Sequence, residues 1–165
     1  MIEQEVDQTV LARLVGYWEG MLRHRPNAQE PLQSMPCIAE SRWVLGGRFV
    51  EMTLRSTGGD SWSAVFYIGY ESSGRRHLLV SLDPGAQRVR TCRGEWHADA
   101  DRVVMLSDES RTVCDLGNPG ALRVEWFDEG DKERKFLRFW ADYRTAEVPA
   151  APALPARQPR RPVIA

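Results

Sequence analysis

The side chains able to ligate a metal or move protons are His24, His77 and His97, the thiols Cys37, Cys92 and Cys114, and two acid clusters, Asp99 with Asp101 and Asp128 with Glu129 and Asp131. Their spacing argues for quieter roles. His77 alternates with Leu78, Val80 and Leu82, so an apolar-in pattern turns it outward, and His97 adjoins an acidic turn. No Cys-x-x-Cys or close Cys/His pair suits zinc, and an odd set of three cysteines in strand-like surroundings reads as buried free thiols. Both acid clusters coincide with turn signals, where aspartate bonds its own backbone, and neither has the glycine and glutamate spacing of a calcium loop. Ser61 and Ser63 flank Trp62 without a Gly-x-Ser-x-Gly elbow. No convergent acid/base set emerges, which favours a protein that is not an enzyme, with no metal and no cofactor.

Aromatic residues offer a different chemistry. Trp62, Ala64, Phe66, Ile68 and Tyr70 occupy alternate positions, as do Leu122, Val124 and Trp126, and then Leu137, Phe139, Ala141 and Tyr143. A period of two marks strands with one buried face, and Leu78, Val80 and Leu82 are assigned inward by the same rule. Between Arg88 and Trp96 the register is open. If Cys92 and Trp96 point inward, Arg90 is a cation aimed at the interior; in the other register it is a surface arginine. The candidate ligand-binding set is Trp62, Phe66, Tyr70, Arg90, Trp96, Trp126 and Tyr143.

The elements that would position these residues are short strands. Seven turn signals, Gly46-Gly47, Gly58-Gly59-Asp60, Ser72-Ser73-Gly74, Asp83-Pro84-Gly85, Asp99-Ala100-Asp101, Asn118-Pro119-Gly120 and Asp128-Glu129-Gly130-Asp131, cut the chain into an antiparallel meander. About ten strands are predicted, sufficient to close an up-and-down barrel around side chains or one small ligand. Ahead of them, Val6, Val10 and Leu14 repeat every fourth residue in a short helix predicted over Glu3 to Leu14, which must cover an apolar opening because it cannot stand alone. A polar loop punctuated by Pro26, Pro31 and Pro36 follows the first strand and is expected to act as a lid. The second strand should run from Ile38 to Leu45 and return from Arg48 after a Gly46-Gly47 turn.

The 22 basic and 23 acidic side chains leave a net charge of −1, which argues against general binding of nucleic acid or anionic membrane. No run approaches the roughly 18 apolar residues of a spanning helix, and Met1 to Gln8 is acidic, which points to a cytoplasmic address. Residues 1–145 read as one barrel domain. Residues 146–165, rich in proline, alanine and arginine, lack apolar periodicity and are expected to form a disordered tail.

The segment Leu14-Val15-Gly16-Tyr17-Trp18-Glu19-Gly20 resembles the opening strand of lipocalins and other calycins. With Val44-Leu45-Gly46-Gly47-Arg48-Phe49 and Gly69-Tyr70, the chain is similar to a bacterial lipocalin-like family of unknown function, over roughly Leu11 to Arg144. The resemblance implies an all-β calycin-like barrel, with Arg144 of the last strand packed over Trp18. It brings no catalytic residues. The expected function is therefore a barrel enclosing a small, mainly apolar molecule. The alternatives are a homodimeric barrel with a packed interior, whose outer apolar patch would include Phe127 and Trp140, and a haem-binding barrel resembling nitrobindin, with one of the three histidines as ligand.

Overall fold

The computed structural model describes residues 8–25, 29–58, 62–83, 88–108, 110–129 and 135–147, with backbone alone for 83, 88, 129 and 135–139. Ten strands form a closed antiparallel barrel: β1 (Gly16–His24), β2 (Gln33–Val44), β3 (Phe49–Ser56), β4 (Ser63–Glu71), β5 (Arg76–Asp83), β6 (Arg88–His97), β7 (Arg102–Leu106), β8 (Ser110–Asp115), β9 (Ala121–Glu129) and β10 (Lys135–Thr145). Each strand pairs with its neighbours in sequence, and β1 closes the circle on β10 with Gly20 opposite Tyr143. The all-β barrel expected from the turn spacing is what the chain adopts.

One end of the barrel is plugged. The helix α1, described over residues 8–12, and the turn after it bury Val10, Leu11 and Leu14 to 4%, 2% and 1% exposure. Each contributes about 2 kcal/mol as an upper estimate, which makes good the instability of so short a helix in isolation. Trp18 Nε1 donates to Leu14 O at 3.1 Å, tying the plug to β1. Arg13 donates to both carboxylate oxygens of Asp101, at 2.6 and 2.7 Å, and to Leu116 O at 2.6 Å, so two turns of the same end also hold it. Val6 and residues 3–5 of the expected helix lie outside the described residues.

Two glycines let the sheet bend sharply. Gly20 on β1 and Gly94 on β6 stand on opposite walls, with four strands between them either way round. A Cβ at Gly20 would lie 1.8 Å from Asp142 O, and one at Gly94 1.8 Å from Val104 O, so the neighbouring backbone occupies the space of a side chain. Such approaches are open only to glycine.

Several expectations need correction. On β5 the buried residues are His77, Leu79 and Ser81, at 2%, 1% and 3% exposure, while Leu78, Val80 and Leu82 line the outer face. The alternation is real, but the apolar half faces outward. Arg144 pairs with Glu19 and lies exposed on the outer face, whereas Trp18 points inward, so strand parity keeps the arginine from the indole. β2 begins at Gln33, which takes Met35 and Pro36 out of the expected loop and into the strand. The β2–β3 turn spans residues 45–48. A hairpin absent from the predicted turns joins β7 to β8, closed by Ser107 N donating to Ser110 O at 2.9 Å. The register of β10 slips between Leu137 and Phe139, and the side chains of both lie outside the description, as does the tail from 148 onward. Among the described residues no helix is long and apolar enough to cross a membrane.

Candidate functional site

The end of the barrel away from the helix, where β1 stops at His24 and β9 at Glu129, carries a polar cluster facing inward. Gly94 decides the register of β6: only a glycine can lie against Val104 O, and with that position inside, Trp96, Cys92 and Arg90 share its face. Arg90 is thus the interior cation of the two alternatives. On β9 the run Leu122, Val124, Trp126 continues in step to Asp128, which is 7% exposed inside the barrel and belongs to the strand, not to a solvated turn.

Arg90 Nη1 donates to Asp128 Oδ1 at 2.5 Å, and Trp126 Nε1 donates to the same oxygen at 2.8 Å. The guanidinium carbon lies 5.6 Å from the centre of the Trp126 ring. The Arg90 and Asp128 side chains are only 14% and 11% exposed. A charged hydrogen-bonded pair on an indole is a fixed, pre-oriented dipole in a low-dielectric surrounding. Ser110, opposite Asp128 in the β8–β9 register, exchanges a hydrogen bond with Ser107 at 2.9 Å and with the Cys92 thiol at 3.5 Å. Arg90 Nε and Thr112 Oγ1 are buried with no hydrogen-bond partner among the described residues, and Thr112 stands opposite Trp126.

Aromatic rings cross the interior beside this cluster. Phe66 on β4 stacks on Trp126 of the opposite wall, with ring centroids 5.9 Å apart and planes at 24°. The barrel is therefore spanned here by side chains. His24 and Trp62 stack at 6.2 Å at that same end, and the backbone N–H of Trp62 donates to Ser56 Oγ at 3.0 Å.

The remaining candidates lie elsewhere in the interior. Tyr70 meets buried His77 edge-on at 5.4 Å, and Trp96 lies 5.9 Å from the Arg13 guanidinium at the plugged end. Tyr143 is buried at 2% exposure with the Cys37 thiol beside it; burial, then that neighbour, pushes its hydroxyl well above the ordinary tyrosine range. All seven candidates sit on the inner side of the barrel, but only Phe66, Arg90 and Trp126 are brought together, with Trp62 at the same end. Sequence reasoning missed Asp128, Ser110 and Thr112. The signal for Asp128 was its place two residues after Trp126, in phase with an apolar alternation.

The cysteines are all free and buried, and burial raises the Cys114 thiol to about 12. Among the described residues no group of three histidine, cysteine or acidic side chains is gathered for a metal. The cluster supplies instead two stacked aromatic rings, a carboxylate that accepts from Arg90 and Trp126, and two buried polar groups whose hydrogen bonds are unmade.

No curated protein matches the chain. Residues 4–142 match the family described as Protein of unknown function (DUF1579), and the chain belongs to that family.

Proposed function

We propose that the barrel is a binding module that admits a small, mainly apolar molecule at the end away from the helix, beside Phe66 and Trp126. The observation that carries this is the Arg90–Asp128–Trp126 cluster inside the barrel. A buried ion pair adds little net stability over apolar residues of the same volume, so a barrel serving only as a packed body gains nothing from keeping one. A ligand site gains orientation, since apolar burial at about 25 cal/mol per Å2 supplies affinity and a few fixed polar groups supply direction. The resemblance of Gly16-Tyr17-Trp18 and its surroundings to lipocalins supports the same function. Titration with medium-chain apolar amphiphiles and aromatic metabolites, followed by tryptophan fluorescence, tests it. Saturable quenching that is lost in Trp126→Phe is expected; no saturable change with any of them would refute it.

A second reading, compatible with the first, is a homodimer, and β5 favours it. Its outward Leu78, Val80 and Leu82 form an apolar patch that continues onto Val89 of β6, opposite Leu82 and 68% exposed, and ends at Arg93, opposite Leu78. The edges of the patch carry both signs of charge, in Arg93 with Glu71 and in Arg42 with Glu51, so a second copy related by a twofold axis can pair them. Phe127 and Trp140 are weaker ground, because Arg111 covers the first ring and Arg23 and Arg123 cover the second, at 5.5, 4.6 and 5.1 Å. Sedimentation equilibrium should show a dimer that Val80→Glu converts to monomer. A wild-type monomer at every concentration would rule the dimer out.

A further inference from the structure

Resting on the binding function proposed above, the geometry points to the chemical class of the ligand: we infer that it is an apolar molecule carrying an uncharged acceptor oxygen, such as an ester or an alcohol, and not a free carboxylate. An arginine inside a barrel suggests an anion. Here its charge is already met, because Asp128 faces Arg90 at 2.5 Å and is itself held by Trp126. A carboxylate arriving at Arg90 would bring a second negative charge beside Asp128, in a space where little water screens either.

What the cluster lacks is an acceptor. Arg90 Nε is a donor without a partner among the described residues, and the Thr112 hydroxyl, 0% exposed and opposite Trp126, has none either. An unmade hydrogen bond on a buried donor is costly, and a neutral carbonyl or hydroxyl oxygen makes it without unbalancing the pair. Beside Arg90 lie Phe66 and Trp126, stacked on one another, apolar surroundings that suit an aliphatic chain. The three features together describe a molecule with one neutral polar head and an apolar body.

The test is a titration of the full chain at neutral pH with methyl decanoate, decanol and decanoate, which share one chain length and differ in the head, followed by tryptophan fluorescence. The ester and the alcohol are expected to bind about tenfold or more tightly than decanoate. In Asp128→Asn the arginine loses its counter-charge, and the order should reverse in favour of decanoate. Thr112→Val removes a hydroxyl with no partner among the described residues, so it keeps the fold whatever becomes of the Asp128 variant, and should weaken the ester and alcohol several-fold. Decanoate binding as tightly as the ester in the wild type, or an unchanged ester affinity in Thr112→Val, overturns the inference while leaving the binding function standing. Saturable binding by none of the three, nor by any other apolar probe, overturns both.

Discussion

Removing the charges of Arg90 and Asp128 one at a time should destabilise the barrel, and removing both together should largely restore it. In Asp128→Asn the amide oxygen still accepts from Trp126 Nε1, now 2.8 Å away, so the change isolates the lost charge. Arg90 is then an unpaired cation with a side chain only 14% exposed. Breaking a fully buried pair costs about 3–5 kcal/mol, and the remaining exposure reduces this to about 2–3 kcal/mol. Arg90→Met takes the counter-charge from Asp128 and should cost about the same. In the double variant no charge is buried, methionine fills the space of the arginine stem, and the loss should be about 1 kcal/mol, giving a coupling of about 4 kcal/mol. Urea unfolding at neutral pH, followed in parallel by tryptophan fluorescence and circular dichroism, should place the single variants roughly 1–2 M below the wild type in midpoint, with the double variant close to it. A double variant as unstable as the worse single one would refute the reasoning. The pair would then hold the barrel together by its contacts, and its presence would need no ligand to explain it.

Gly94→Ala should cost about 2–3 kcal/mol or prevent folding, because the added Cβ meets Val104 O at 1.8 Å; a wild-type urea midpoint would show that the strands do not approach so closely. The hydrogen bond from Arg13 holds the Asp101 carboxyl below its ordinary value of 3.8. A depressed folded-state value stabilises fully above the unfolded one and is lost as pH falls through it, so the gap in midpoint between wild type and Arg13→Ala should be constant down to about pH 5 and shrink below about pH 4. A gap that does not change with acid would mean that the bond to Leu116 O carries the plug. All three thiols are buried, and burial lifts Cys114 to about 12, so iodoacetamide near pH 8 should leave the native protein unlabelled and modify all three in denaturant. Rapid labelling of even one native cysteine would contradict the burial.

The strands were legible where alternation met an ordinary division of faces. Trp62 to Tyr70 reads correctly because the apolar residues there do point inward, and Leu122 to Trp126 does so for the same reason. On β5 the same rule fails. A period of two separates the faces without saying which is inside, and the more apolar face is the outer one. The β6 register rests on contact between Gly94 and a backbone ten residues further along, which no local pattern contains. Asp128 was obscured by its setting in Asp-Glu-Gly-Asp, a turn signal whose first two residues belong to β9. The β7–β8 hairpin has neither glycine nor proline in its turn; Ser107 supplies the bonds instead, accepting from Ser110 N at 3.0 Å through its hydroxyl.

The inversion of β5 and the cluster on β9 are parts of one asymmetry. Across β5 to β9 the buried inward residues include His77, Ser81, Ser110, Thr112 and Asp128, with Arg90 beside them, set among apolar Leu79, Val103, Met105, Leu122 and Val124. On the wall made by β1 to β4 they include Leu22, Met35, Val50, Met52, Leu54, Phe66 and Ile68, interrupted by Ser41. A barrel filled only by its own side chains has no reason to segregate them, since each buried polar group demands a partner and apolar residues pack as densely without one. Under the binding function proposed above, such segregation would serve an occupant that is itself two-sided. One wall would take the apolar body by contact, and the other would fix the polar head through Arg90 Nε and the Thr112 hydroxyl. Phe66 and Trp126, one from each wall, meet where the two surfaces face each other, so a change at either ring should disturb both the depth and the orientation of what binds.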